Sequence, residues 1–233
     1  RITMTRAPSP LLEHLRSTEV WVMDATGGNA RRLTSNDVAE GDARLSPDGR
    51  AVLFTAAANG QFEPYYNDKI FVVAAAGGAS RVLLPEAPFQ VSDARWSADG
   101  TRIYFVANHG VHTQLMEVEP AGGRTQALTS GDHTVGAWRY GPRTGTHVFT
   151  LNTPQRPAEI HLLAGGGPPR RVTRVFAPVD RRFHVARQER VVGRLVDDLV
   201  VACAPVRQSP PLGRHLPLAA GTGVRRDVNL VAA

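Results

Sequence analysis

An all-β fold is what this sequence predicts: a partial β-propeller of about four four-stranded antiparallel blades, followed by an irregular C-terminal tail. Three observations carry the prediction. A unit of roughly 45 residues recurs four times, its short strands are separated by glycine turns, and its apolar runs do not alternate with polar residues.

Each element of the unit has a local reason. The first is an apolar run: Glu19-Val20-Trp21-Val22-Met23-Asp24, Lys69-Ile70-Phe71-Val72-Val73-Ala74, Gln114-Leu115-Met116-Glu117-Val118-Glu119 and Glu159-Ile160-His161-Leu162-Leu163. Apolar residues at successive positions mean that both strand faces are buried, as in a blade sandwiched between neighbours. A glycine pair follows each run, at 27–28, 77–78, 122–123 and 165–166, and then a second short apolar element, centred on Leu33, Leu83, Leu128 and Val172. Two further strands close the unit. Ala43 to Phe54 aligns with Ala94 to Phe105, each with an Asp-Gly turn, Asp48-Gly49 or Asp99-Gly100, between apolar runs. Glycine supplies the positive φ of such a turn and the aspartate bonds its own backbone. A third copy keeps Trp138 and Tyr140 but loses Asp-Gly before His147-Val148-Phe149. A β-sandwich would show alternation and no such period, and no helical pattern separates the strands.

Composition excludes several classes. The 233 residues are 42% hydrophobic and 21% charged, enough for a substantial core. The longest apolar run, Leu199 to Val206, is far too short to span a membrane as a helix. The single cysteine, Cys203, rules out an internal disulfide framework and reads as an inert thiol. The net charge of +6 is uneven: residues 1–173 are close to neutral, and the excess sits in 174–233 as scattered arginines with Phe176 and Phe183 the only aromatics. That is neither a basic helix face nor a stacking surface, so no nucleic-acid partner is expected.

The Ser46-Pro47-Asp48-Gly49 block, with Glu19 to Asp24 and Gly27-Gly28, resembles the WD40-like PD40 blades of TolB-type propellers. It also resembles the N-terminal propeller of the prolyl oligopeptidase family of serine peptidases, including dipeptidyl- and acylaminoacyl-peptidase-like members. The insert Asn59 to Asn67, the segment Thr153 to Ile160 and the stretch Phe183 to Val191 are similar to the peptidases. The resemblance implies blades over 1–173, a junction over 174–192 toward an α/β-hydrolase domain, and a divergent, truncated or frame-shifted tail over 193–233. The chain starts at Arg1 rather than Met and its start reads as incomplete, so no compartment is assigned.

The family's serine lies in Gly-x-Ser-x-Gly, and none of the nine serines stands in that frame. The chain alone is therefore expected to be catalytically inactive, with no catalytic residue, metal or cofactor. Ser130-Gly131-Asp132-His133 reads as a connection between blades, since triads assemble from distant segments. His109 and His112 lack a third ligand. The candidate contact residues are Glu63, Tyr65 and Tyr66, in the insert that lengthens the first repeat interval. The resemblance offers Glu63 as an acidic group for a substrate's amino terminus. The alternative is that Tyr65 and Tyr66 pack the insert onto its own blade. The expected partners are a peptide substrate, handled with a hydrolase domain, and a protein or second copy at open blade faces.

Overall fold

The computed structural model describes residues 1–183, 191–194 and 200–203. Its strands form four blades in chain order. The first holds β1 (Ile2–Arg6), β2 (Glu19–Met23) and β3 (Arg31–Arg32), and the second β4 (Glu40–Leu45), β5 (Ala51–Ala58), β6 (Pro64–Ala74) and β7 (Arg81–Val82). The third holds β8 (Gln90–Trp96), β9 (Ile103–His109), β10 (His112–Val118) and β11 (Gln126–Ala127). The fourth holds β12 (Thr134–Gly141), β13 (Thr146–Thr153), β14 (Arg156–Leu163) and β15 (Arg170–Arg171). Neighbours within each blade are antiparallel; one parallel bridge, Thr113 to Thr134, joins the third and fourth. The sheets do not close into a ring. A short helix α1 (Ala177–Arg182) and a hairpin of β16 (Val191–Arg194) with β17 (Val200–Cys203) follow. The rest of the 193–233 tail lies outside the described residues.

The repeat read from the sequence straddles this architecture. Its apolar run and short strand are the third and fourth strands of one blade, whereas its Asp-Gly hairpin is the first and second of the next. Three blades are therefore complete, and the first has three strands.

Packing follows from period-two alternation with both faces buried. Along β5, Val52, Phe54 and Ala56 face the first blade with Val20 and Val22, while Leu53 faces the third blade with Ile70. Ile103, Phe105 and Met116 return that contact, and Val106 and Leu115 face Val135, Trp138 and Phe149 of the fourth blade. Burying each such side chain contributes about 1.5–3 kcal/mol, so the blade interfaces are the core.

Polar devices lock the stack. Arg31 donates to the Ala75 and Ala76 carbonyls of the next blade, and Arg81, one repeat on, donates to Pro120 (2.6 Å) and Ala121 (3.0 Å). Within blades, Thr34, Thr129 and Thr173 accept from the backbone N–H of Val20, Leu115 and Ile160. In the hairpin turns the Ser46 and Ser97 hydroxyls donate to Asp48 and Asp99 (2.5 and 2.6 Å) and accept from the N–H of Ala51 and Arg102. Gly49 and Gly100 sit at φ +71° and +72°.

Candidate functional site

Strand direction fixes which connections share an end of the molecule. The β5–β6 insert lies at the end opposite the Asp-Gly turns, together with the β1–β2 and β9–β10 connections and the loops between blades.

The insert is anchored by the phenylalanine that stands beside the candidate residues Glu63, Tyr65 and Tyr66. Phe62, at φ +60°, turns its ring inward onto Phe71 (4.8 Å between centroids) and Phe54 (6.4 Å). Asn59 organises the turn: its Oδ1 accepts from the N–H of Gln61 and Glu63, and its Nδ2 donates to Glu63 Oε2 at 2.6 Å. Tyr65 and Tyr66 therefore do not pack the insert down. They begin strand β6 rather than a projecting loop, with Tyr65 at φ +72° and 95% exposed and Tyr66 half exposed. Glu63 is also exposed, its carboxylate already engaged by Asn59.

The same end carries more apolar surface. The β1–β2 connection contains the 3-10 helix Leu12–Ser17, on which Leu12 is 80% exposed and Leu15 half exposed, next to the exposed Leu11; the β9–β10 turn exposes Val111. Leucines in a surface connection with no core to enter are a contact signal. The Leu11-Leu12-Glu13-His14-Leu15 string was visible in the sequence but lies outside the repeat.

The loops at this end are pinned from one position. Glu19, Lys69, Gln114 and Glu159 occupy the same repeat position in the third strand of each blade, and each holds the connection that leaves the fourth. Glu19 accepts from Asn36 N–H (2.7 Å), Gln114 donates to the Gly131 carbonyl (2.9 Å), Glu159 accepts from Phe176 N–H (2.9 Å), and Lys69 donates to the Ala87 carbonyl. Three kinds of side chain at four equivalent positions do one job, so the apolar surface stands on a pinned frame.

The histidines fit structural roles. His109 lies over Phe89 (4.7 Å) with Nε2 3.3 Å from Met116 Sδ, and His112 is 3.5 Å from Asp132. His133 is buried, with its pKa lowered by desolvation and Nε2 without a partner. Ser130 to His133 lies in the connection between β11 and β12. Among the described residues no group of His, Cys, Asp and Glu is arranged to hold a metal ion, and no helix is long and apolar enough to cross a membrane.

No family model matches the chain, and no curated protein matches it by sequence. Solved structures do. An acylaminoacyl peptidase in complex with Z-Gly-Gly-Phe-chloromethyl ketone superposes with a TM-score of 0.68 at 17% identity, over 91% of this chain and 31% of that one. The β-propeller domain of the trilobed protease from Pyrococcus furiosus, described as having an open velcro topology, gives 0.58 at 14% identity over 78% and 51%. TolB from Acinetobacter baumannii gives 0.52 at 18% identity over 64% and 35%. These likenesses show the fold, a β-propeller of the kind carried by peptidases and TolB proteins. The chain spans about a third of the length of the acylaminoacyl peptidase.

Proposed function

We propose that this chain is the non-catalytic, substrate-gating propeller portion of a serine peptidase of the prolyl oligopeptidase type. Peptides would be cleaved in an α/β-hydrolase domain outside this sequence. The observation that carries the reading is the end surface of Leu12, Tyr65 and Tyr66, two blades' worth of exposed apolar side chains on a pinned frame, in a chain that superposes on an acylaminoacyl peptidase along nine-tenths of its length. Such a surface suits a neighbouring domain or an entering peptide. The chain contains no Gly-x-Ser-x-Gly, so by itself it would hydrolyse nothing.

The second reading is a TolB-like module that binds a partner protein through the same surface, favoured by the likeness to TolB. The nucleotide sequence of the locus, read in all frames past codon 192, separates the two. A hydrolase frame with a serine elbow supports the gate, and Tyr65→Ser with Tyr66→Ser in the full product should then raise KM for peptides and spare kcat. A locus with no such frame overturns the gate and leaves the binding module.

A further inference from the structure

The innermost strands repeat a pattern independent of the apolar end. Asp42-Ala43-Arg44, Asp93-Ala94-Arg95 and Ala137-Trp138-Arg139 occupy the same place in β4, β8 and β12. Each spans a β-bulge whose first residue has positive φ: Asp42 and Asp93 at +52°, Ala137 at +37°. A bulge re-aims the side chains that follow it, and here it puts one arginine per blade on the inner strand. Arg44 reaches the Ala94 carbonyl (3.2 Å) and Asp42 (3.4 Å); Arg95 pairs with Asp93 (2.6 Å) and lies over the Trp138 ring; Arg139 reaches back to the same Asp93 (3.4 Å). The fourth blade lacks the aspartate, so three arginines share two carboxylates.

At the Asp-Gly-turn end of these strands opens a concavity of about 760 Å³. Arg44, Arg95 and Arg143 line it with Ser97 and the Tyr140 ring, and none of the described lining residues is acidic. The volume is that of a small-ligand or peptide-end site. A concave surface lined by one sign of charge focuses its field on the opposite sign, and guanidinium groups pair with carboxylates in fork geometry. An extended polyanion would need a longer basic track than this mouth, where Arg44 and Arg95 also pair with Asp42 and Asp93 and only the exposed Arg143 of these three makes no ion pair among the described residues.

We propose that this concavity binds the carboxylates of acidic peptides, at the end of the propeller opposite Tyr65. The assignment rests on the peptide-handling reading above and adds a preference for acidic sequence.

Fluorescence anisotropy on the full chain tests it, using a fluorescein-labelled Ala-Glu-Glu-Ala-Glu-Glu hexapeptide with free C-terminus, its C-terminal amide, and the glutamine-for-glutamate amide. The acidic peptides should bind at least tenfold tighter than the glutamine peptide and weaken with salt. A difference between free acid and amide identifies the terminal carboxylate as the source, and equality identifies the side chains. Arg143→Gln, on the exposed β12–β13 turn, should raise Kd severalfold, and Arg95→Gln with Arg143→Gln at least tenfold. Arg156→Gln, at the other end of the fourth blade, should change nothing. Equal binding of the glutamine peptide, unchanged binding by Arg143→Gln, or tighter binding of an oligothymidylate overturns the carboxylate site and leaves the peptide reading standing. Absence of binding by every peptide overturns both.

Discussion

Burial keeps His147 neutral. Its ring meets Tyr104 edge-on (4.6 Å) and lies near Tyr140 (4.9 Å), its Nδ1 accepts from the Trp138 indole (3.2 Å), and desolvation pulls its pKa down to about 4. The unfolded chain takes up this proton below about pH 6.5, the folded chain only below about 4. Stability is therefore full above pH 6.5 and is lost as pH falls toward 4, by at most a few kcal/mol at about 1.4 kcal/mol per pKa unit. His133, also lowered by burial, acts in the same direction. Urea midpoints at pH 7 and pH 5 check this: the native chain should weaken at pH 5, and His147→Phe should shrink the difference. At pH 7 that variant should be weaker by about 1–3 kcal/mol, because the Trp138 N–H loses its acceptor. An undiminished pH difference in the variant places the titration elsewhere. Gly122 gives a second residue-scale test. It holds φ +89°, and a Cβ there would stand 2.8 Å from the Leu83 carbonyl of the preceding blade. Gly122→Ala should cost about 1–3 kcal/mol, lowering Tm by several degrees; an unchanged melt contradicts the close approach.

Among the elements, the Asp-Gly hairpins are tied by their own side chains. The Ser97 hydroxyl and the Thr101 N–H hold the Asp99 carboxyl down to about 2. Ser97→Ala leaves the Arg102 N–H without its acceptor and should cost about 1 kcal/mol, read as a Tm about 2–4 °C lower; no change in Tm would mean that water replaces the hydroxyl at no loss. These hairpins were readable in the sequence because their signals are local: a serine, an aspartate and a glycine within four residues. The division into blades was not, since the repeat unit starts in the third strand of one blade and ends in the second strand of the next, and only strand pairing separates them. Glu63, Tyr65 and Tyr66 stood out as an interruption of the period. That Phe62 rather than the tyrosines holds the insert depends on a left-handed backbone at that residue, which composition does not signal. The inner-strand arginines lie within the aligned hairpins, but nothing in the sequence sets them apart, because a bulge is invisible until two strands are paired.

At the scale of the whole molecule, equivalent residues of the repeat differ in exposure between inner and outer blades. Leu53, Ile70 and Leu115 are at most 1% exposed, covered by the following blade, whereas Val148 and Ile160, at the matching places in the fourth blade, are each 40% exposed. Arg170 stands where Arg31 and Arg81 each hold two carbonyls of the next blade. At the other end, Ile2, Met4, Trp21 and Met23 share the outer face of the first blade, with Arg6 over the Trp21 ring. Among the described residues neither face has a blade against it, and the isolated chain should self-associate through them. The most direct check is sedimentation equilibrium of the isolated chain beside the variant carrying Val148→Glu and Ile160→Glu, each with its thermal melt. The account predicts concentration-dependent association of the native chain, abolished in the variant, which keeps a folded melt because neither side chain is in a core cluster. A native chain that is a monodisperse monomer with a single cooperative melt would contradict an open arc of blades.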